Sequence, residues 1–169
     1  MTPQVFSDMD GVLADFDGGY RDFSGIKIRG FMKIDHSMWK ELQREWPTFW
    51  VDLDYESHAL DLWRVISRYN PSLLTAIPDG WPSAGVGKTL WAKQNLPKFG
   101  YHPAQRVYAV KRSEKKNFAK QSDGTPNILI DDMEKNIAEW ESAGGIGIHY
   151  IPSPAMIKQV ERTLEKYVN

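Results

Sequence analysis

The sequence contains no cysteine. Disulfide bonds, thiolate metal sites and a cysteine nucleophile are therefore excluded, and no redox compartment is indicated. Long apolar runs are also missing, since no segment approaches the roughly 18 residues that a membrane-spanning helix needs. The first residues lack the basic and then apolar pattern of a secretory signal. We therefore predict a soluble protein of the cytoplasm with no membrane partner.

An excess of charge of one sign is missing as well. Lysine and arginine number 21 and aspartate and glutamate 22, which gives a formal net charge of -1 at pH 7. Without a basic surface field, a nucleic-acid polymer is not an expected partner, and any bound phosphate has to be held by local groups. The 169 residues, 41% hydrophobic and 25% charged, are typical of one globular domain that carries at most a small insertion.

Tryptophan, in contrast, is abundant, with seven in the chain. Four of them lie close together in the sequence, and their expected role is to pack a small helical subdomain. The alternative is that one or two of these tryptophans stack on a ligand. The group comprises Trp39, Trp46, Trp50 and Trp63.

Short apolar segments alternate with helical patterns along most of the chain. Because strands that alternate with helices form parallel sheets, we predict an α/β, Rossmann-like fold with a mainly parallel sheet flanked by helices. Residues 15–55 break this rhythm with glycines and aromatics, and we interpret them as a small helical insertion into a core of residues 1–14 and 56–169. The predicted strands are 4–9, 73–77, 106–110, 127–130 and 146–151, and the predicted helices are 56–70, 83–96, 133–143 and a last one that begins at Ser153.

Acidic residues stand at the ends of two predicted strands. Asp8 and Asp10 follow the first strand, and Asp131 and Asp132 follow the fourth. Ligands of open parallel sheets bind at the carboxyl ends of the strands, so these side chains are expected to converge. Like charges in one cleft repel each other unless a cation lies among them. A divalent metal with oxygen ligands, most simply Mg²⁺, is therefore the expected cofactor.

Residues 8–16, with the sequence DMDGVLADF, resemble the opening motif of the haloacid dehalogenase (HAD) superfamily of phosphohydrolases. Within that superfamily they are most similar to the 5′(3′)-deoxyribonucleotidase family. The resemblance continues in order through residues 73–76, a basic segment and residues 129–132. It implies a Mg²⁺-dependent phosphomonoester hydrolase that acts on a small phosphorylated molecule. The resemblance to the deoxyribonucleotidases implies that this molecule is a nucleoside monophosphate. It also implies that residues 15–55 form a small cap over the site.

The resemblance assigns the catalytic and phosphate-binding residues. Asp8 is the nucleophile that forms an aspartyl phosphate. Asp10 is the general acid for the leaving oxygen and then the base for water. Thr75 hydrogen-bonds a phosphoryl oxygen, with help from the backbone N–H groups of Met9 and Ala76.

The resemblance also implies a metal-ligand set. The Asp8 carboxylate and the Asp10 main-chain carbonyl hold the ion together with one acidic residue of the late motif. We assign that ligand to Asp132 and expect Asp131 to hold a metal-bound water. Exchanging the two would not change the function.

One lysine has to neutralise the charge that develops near the nucleophile. Lys111, Lys115 and Lys116 compete for this place. The family pattern of a lysine three residues before an aromatic-alanine pair favours Lys115. The two lysines that are not catalytic are expected to lie on a solvated basic face.

Substrate choice depends on the predicted cap. Phe16 matches the family position that packs against the nucleobase, and an aromatic face suits any base. Packing at the hinge of the insertion is the alternative role for Phe16. Trp46 and Trp50 are looser stacking candidates. The insertion is shorter than the helical cap of the deoxyribonucleotidases, so base and sugar preference do not follow from the resemblance.

Two further patterns are weaker signals. Residues 85–89 resemble a P-loop, but Pro82 stands where the first glycine belongs and has no N–H to offer a phosphate. We therefore expect no ATP site there and place Lys88 on the helix after Thr75, near the substrate. The histidines show no metal-binding spacing, and each is expected to have a structural role or to lie at the surface. They are His36, His58, His102 and His149.

Rival functions use similar residue types. A receiver domain also groups Asp, Thr and Lys around Mg²⁺, but its acceptor aspartate belongs on a middle strand, whereas here the paired aspartates come first. A dehalogenase would need neither Asp10 nor the late acidic ligand. A phosphatase for another small phosphate ester and a catalytically silent binding protein of the same fold remain as alternatives. Small capped phosphatases often pair, so a homodimer also stays open.

Overall fold

The computed structural model of the protein describes residues 1–27, 34–99, 104 and 106–168. Five strands of this part form one sheet in the order β3-β2-β1-β4-β5, and all neighbouring strands are parallel. The predicted α/β, Rossmann-like architecture is therefore confirmed. The strands are β1 (Val5–Ser7), β2 (Ser72–Ala76), β3 (Val107–Val110), β4 (Ile128–Asp131) and β5 (Ile146–His149).

The strand order explains where a ligand is expected. The chain builds the sheet from β1 through β2 to β3 on one side and then returns to add β4 and β5 on the other side of β1. The point of reversal lies between β1 and β4, and open parallel sheets bind ligands at such a switch point. The strands β1, β2 and β4 are buried along their whole length, which is typical of a parallel sheet covered on both faces.

Helices lie where the sequence predicts them, with small differences at the ends. The predicted helix 56–70 is shorter, because it begins at Ala59 and passes into a 3-10 turn before Asn70 takes a left-handed conformation ahead of Pro71. Ser153 caps the last helix as predicted, with its Oγ accepting from the Met156 N–H at 3.2 Å. The α-helices are α1 (Phe16–Ser24), α2 (His36–Glu45), α3 (Phe49–Asp52), α4 (Ala59–Ile66), α5 (Ala84–Asn95), α6 (Glu134–Ser142) and α7 (Pro154–Val168).

Three 3-10 helices complete the described elements: Ser67–Tyr69, Leu96–Phe99 and Arg112–Phe118. The last of these contains Lys115 and Lys116 of the basic segment that lies between the second and fourth strands. Within the described ranges, no helix combines the length and the apolarity that a bilayer crossing requires.

The segment 15–55 contributes α1, α2 and α3 to a cluster of aromatic rings. Phe16 and Trp50 are stacked with centroids 5.5 Å apart, Trp39 lies 5.9 Å from Trp50, and Trp81 packs edge-on against Trp50 at 5.6 Å. Trp63 belongs to α4 and is fully buried. The predicted packing role of the tryptophans is confirmed for Trp39, Trp50 and Trp63, while the function of 15–55 as a cap stays a prediction.

Candidate active site

A tight turn after β1 carries the first two acidic residues. The Met9 carbonyl accepts the N–H groups of Leu13 at 2.8 Å and Ala14 at 2.9 Å. Gly11 has φ +72°, a left-handed conformation that favours glycine, and a Cβ at this position would overlap the Asp132 carboxylate. The turn therefore needs glycine for two reasons, and it brings Asp10 back to the same end of the sheet as Asp8.

Lys115 joins the two strands at the switch point. Its Nζ lies 2.7 Å from Asp8 Oδ2 and 2.7 Å from Asp131 Oδ2, and its side chain is only 2% exposed. Lys111 and Lys116, in contrast, are exposed on either side of it in sequence. Of the three competing lysines, the structure thus brings Lys115 to the expected nucleophile; its role in catalysis stays a prediction.

Asp131 and Asp132 have different surroundings. Asp131 is fully buried, and its carboxylate accepts the Met133 N–H at 2.9 Å and the Asn136 side-chain amide at 3.0 Å, besides Lys115. Asp132 is partly open to solvent. The Asp131 carboxylate is thus engaged by protein donors and Asp132 is the more accessible of the two, while the assignment of the direct metal ligand stays a prediction. Asn136, on the first turn of α6, is a site residue that the sequence analysis missed.

Burial, together with repulsion from neighbouring carboxylates, raises the pKa values of Asp8, Asp10 and Asp132. Burial is the main cause that raises the pKa of Asp8 to about 6, with Asp131 adding to the rise and Lys115 opposing it. Burial, followed by the charges of Asp8 and Asp131, raises the pKa of Asp132 to about 8. Burial lowers the pKa of the Lys115 ammonium, but the two neighbouring carboxylates outweigh it and the net shift is upward. One buried ammonium does not balance three carboxylates.

The donor set fits a divalent cation with oxygen ligands. Asp8, Asp131 and Asp132 each offer a carboxylate oxygen, and these atoms lie within 4.8 Å of one another. Hard cations such as Mg²⁺ are bound by one or two carboxylates together with water. A cation here would also favour the ionised forms that burial disfavours. The acidic cluster could therefore hold a metal ion.

Lys88 is the main addition that the structure makes to the predicted site. It lies on α5, as predicted, and is fully buried. Its Nζ forms an ion pair with Asp10 Oδ2 and hydrogen bonds with Thr75 Oγ1 at 3.0 Å and the Ala76 carbonyl at 2.8 Å. Residues 85–89, which resemble a P-loop in sequence, lie within α5 and are helical.

The predicted phosphate-binding groups lie beside these charges. Thr75 is fully buried at the end of β2. The Met9 N–H donates to Asp8 Oδ1 at 2.7 Å, and Ala76 contributes its carbonyl to Lys88. The structure thus brings Met9, Thr75 and Ala76 to the two aspartates, and their contact with a phosphoryl group stays a prediction.

Phe16 has surroundings unlike those of a base-stacking residue. Its side chain is 1% exposed, its ring is stacked on Trp50, and Tyr20 and Phe49 cover it further. No ring face is open to a nucleobase. These contacts give Phe16 a packing role, which was the alternative, and its stacking on a nucleobase stays a prediction.

A cavity of about 530 Å³ opens beside the carboxyl ends of β2 and β3. The segment 15–55 forms one wall with Ile34, His36 and Trp39, and the loop after β2 forms another with Ile77 and Asp79. Its volume is in the range of small-molecule pockets. Its lining residue Ile77 directly follows Thr75 and Ala76 in the sequence.

The remaining histidines occupy separate places. His149 Nε2 lies 3.0 Å from the Asp132 carbonyl oxygen, and His58 precedes α4 in a left-handed conformation. His102 lies outside the described residues.

Comparisons with known proteins support the fold. No family model matches the chain, and no curated protein matches it. A crystal structure of a hydrolase from Streptococcus pneumoniae TIGR4 is similar to it with a TM-score of 0.51 and 12% sequence identity, over 94% of this chain and 97% of that one. At this identity the likeness establishes the α/β fold.

Proposed function

We propose that the protein is a Mg²⁺-dependent phosphomonoester hydrolase of the HAD type, and that its substrate is a nucleoside monophosphate. The observation that carries the proposal is the environment of Asp8 at the switch point of the sheet. Its Oδ2 is held by Lys115 at 2.7 Å, its Oδ1 by the Met9 N–H at 2.7 Å, and Asp131 and Asp132 lie beside it. A carboxylate fixed by both oxygens at a ligand-binding edge is suited to attack phosphorus.

The reaction follows from the two aspartates. An Asp8 carboxylate oxygen attacks phosphorus and displaces the ester oxygen, which takes a proton from Asp10. Water then attacks the phosphorus of the aspartyl phosphate, gives a proton to Asp10, and releases inorganic phosphate with Asp8 restored. Lys115 and Thr75 stabilise the phosphoryl charge during both displacements.

The metal would be held by Asp8, Asp132 and the main-chain carbonyl of Asp10, with Asp131 acting through a bound water. When bound, the ion supplies positive charge that offsets the phosphoryl oxygens and the carboxylates. Lys115 and Asn136 hold Asp131 in place without it. In this arrangement Asp131 is held by protein contacts, and Asp132 would be the carboxylate that contacts the metal directly.

The same chemistry on another small phosphate ester is the second candidate. The burial of Phe16 favours it, because the ring expected to stack on a base is covered by Trp50. The cavity between segment 15–55 and the loop after β2 would then bind a leaving group other than a nucleoside.

A panel of phosphate esters tests the proposal. Ribo- and deoxyribonucleoside monophosphates, an aryl phosphate and an alkyl phosphate are assayed for phosphate release with Mg²⁺ and with EDTA. We expect metal-dependent release in the wild type, loss of turnover in Asp8→Asn and no change in Asp22→Asn, a matched substitution of an exposed aspartate. Turnover by Asp8→Asn would remove Asp8 as nucleophile, and no release from any ester would favour a silent binding protein.

A further inference from the structure

We propose that Lys88 is the positioning residue of the acid-base aspartate: it fixes one oxygen of Asp10 and leaves the other for the leaving group. This inference rests on the proposed function and adds a second lysine to it. The two lysines form ion pairs with different carboxylates. Lys115 binds Asp8 and Asp131, whereas Lys88 binds Asp10.

The hydrogen bonds of Lys88 favour a role through Asp10 rather than through direct contact with substrate. An ammonium group has three N–H donors. Those of Lys88 have three polar partners, which are Asp10 Oδ2, Thr75 Oγ1 and the Ala76 carbonyl. With three partners already within the protein, Lys88 is suited to hold the site rather than to bind substrate.

The free oxygen of Asp10 gives the reason for this arrangement. Among the described residues, Asp10 Oδ1 is buried and has no hydrogen-bond partner, while Oδ2 is paired with Lys88. A buried acceptor without a partner is costly and calls for an explanation. A proton shared with a leaving oxygen or with the attacking water supplies the missing partner during the reaction.

Trp50 holds Lys88 from the side of segment 15–55. The Lys88 Nζ lies 4.3 Å from the centroid of the Trp50 ring, a distance at which an ammonium is attracted to an indole. A Cβ at Gly87 would lie 2.8 Å from Trp50 Cβ, so the glycine allows α3 to approach α5 this closely. Lys88 is thus fixed between Asp10 and an aromatic ring, and the aspartate is fixed with it.

The decisive experiment compares leaving groups. Lys88→Met shortens the side chain by one atom and removes its charge. The ratio kcat/KM reports the formation of the aspartyl phosphate without the later hydrolysis. General acid catalysis contributes about 10²–10⁴-fold when the leaving group needs a proton. We expect a loss of kcat/KM in this range for an alkyl or nucleoside phosphate and a loss at least about tenfold smaller for p-nitrophenyl phosphate, whose leaving group needs none.

A double-mutant cycle and two controls complete the test. Lys88→Met added to Asp10→Asn should cause no further loss, because the partner through which it acts is already gone. This double variant also removes both buried charges, so it keeps the test valid if the single variant folds poorly. Lys93→Met, an exposed lysine on the same helix, should have no effect. Inhibition by inorganic phosphate should be the same in Lys88→Met as in the wild type.

The outcomes separate the two proposals. Equal losses for both leaving groups, together with weaker inhibition by inorganic phosphate, would show that Lys88 binds the phosphoryl group and would overturn its assignment as a positioning residue. Additive losses in the double variant would overturn it as well. Absence of phosphate release by the wild type from every ester would instead overturn the proposed function.

Discussion

At the scale of the residue, Asp132 is a group whose negative charge is disfavoured by its surroundings when no metal ion is bound. Burial and the charges of Asp8 and Asp131 raise its pKa to about 8 from the ordinary 3.8. A folded-state pKa above the unfolded value means that the folded protein binds the proton more tightly. The stability that this proton supplies is present below about pH 4 and is lost progressively as the pH rises toward 8.

We therefore expect the melting temperature in EDTA to fall between pH 5 and pH 9, and to fall less in Asp132→Asn, which cannot ionise. The same variant should lose the stabilisation by Mg²⁺ and the metal-dependent turnover. Thermal unfolding at several pH values checks this, with Asp22→Asn as the exposed control. Identical pH profiles of wild type and Asp132→Asn would contradict the electrostatic account.

Lys115 offers a second comparison at the residue scale. Lys115→Met leaves Asp8 and Asp131 buried without their shared cation, and breaking such a buried pair costs about 3–5 kcal/mol of stability. Loss of a preorganised charge should also lower kcat/KM by about 10²–10³-fold. Lys116→Met removes an exposed lysine and should change stability by less than about 0.5 kcal/mol. Denaturant unfolding and kinetics check both, and similar losses in the two variants would void the choice of Lys115.

At the scale of the element, the turn after β1 determines the site. Gly11 and Gly25 both have left-handed φ values, +72° and +70°, but only Gly11 faces a neighbour, the Asp132 carboxylate. Alanine at either position should cost about 1–2 kcal/mol of stability from the backbone conformation. Gly11→Ala should in addition displace Asp132 and weaken Mg²⁺ binding, which Gly25→Ala should leave intact. Thermal unfolding and Mg²⁺ titration of both variants check this, and equal Mg²⁺ affinities would show that Asp132 is not displaced.

The elements also show what the sequence could and could not predict. An apolar run that meets an acidic residue predicts a strand end to within two residues, because both features are local. The first strand, predicted to end at residue 9, ends at Ser7, and the fourth, predicted to end at residue 130, ends at Asp131. Lys88 was placed on the right helix, but its ion pair joins residues 78 positions apart, a contact that no local pattern encodes. Phe16 shows the same limit, since a motif marks an aromatic residue but does not reveal that Trp50 covers its ring.

At the scale of the whole molecule, a metal ion bound by the acidic cluster would couple metal binding to folding. A ligand that binds only the folded state stabilises it by about 2.7 kcal/mol at 100 times its Kd. Ligand carboxylates have to be ionised to bind the ion, so the gain grows with pH. We expect Mg²⁺ to raise the melting temperature more at pH 8 than at pH 5.5, and EDTA to reverse the effect. Calorimetry at both pH values checks this, and a gain that is larger at pH 5.5 would contradict it.

The pairing of β1 with β4 has a consequence for how the protein can change. Ser7 is paired with Ile130, and the Asp8 N–H donates to the Ile130 carbonyl at 2.8 Å. The spacing between Asp8 and Asp131 is therefore inherited from adjacent strands, about 4.8 Å apart in any sheet. The walls of the neighbouring cavity, in contrast, come from α2 and the residue Ile34 before it, the loop after β2 and the start of the 3-10 helix Arg112–Phe118. Substitutions in the cavity walls can therefore change which molecule the cavity accepts. The distance between Asp8 and Asp131 stays fixed by the pairing of β1 with β4.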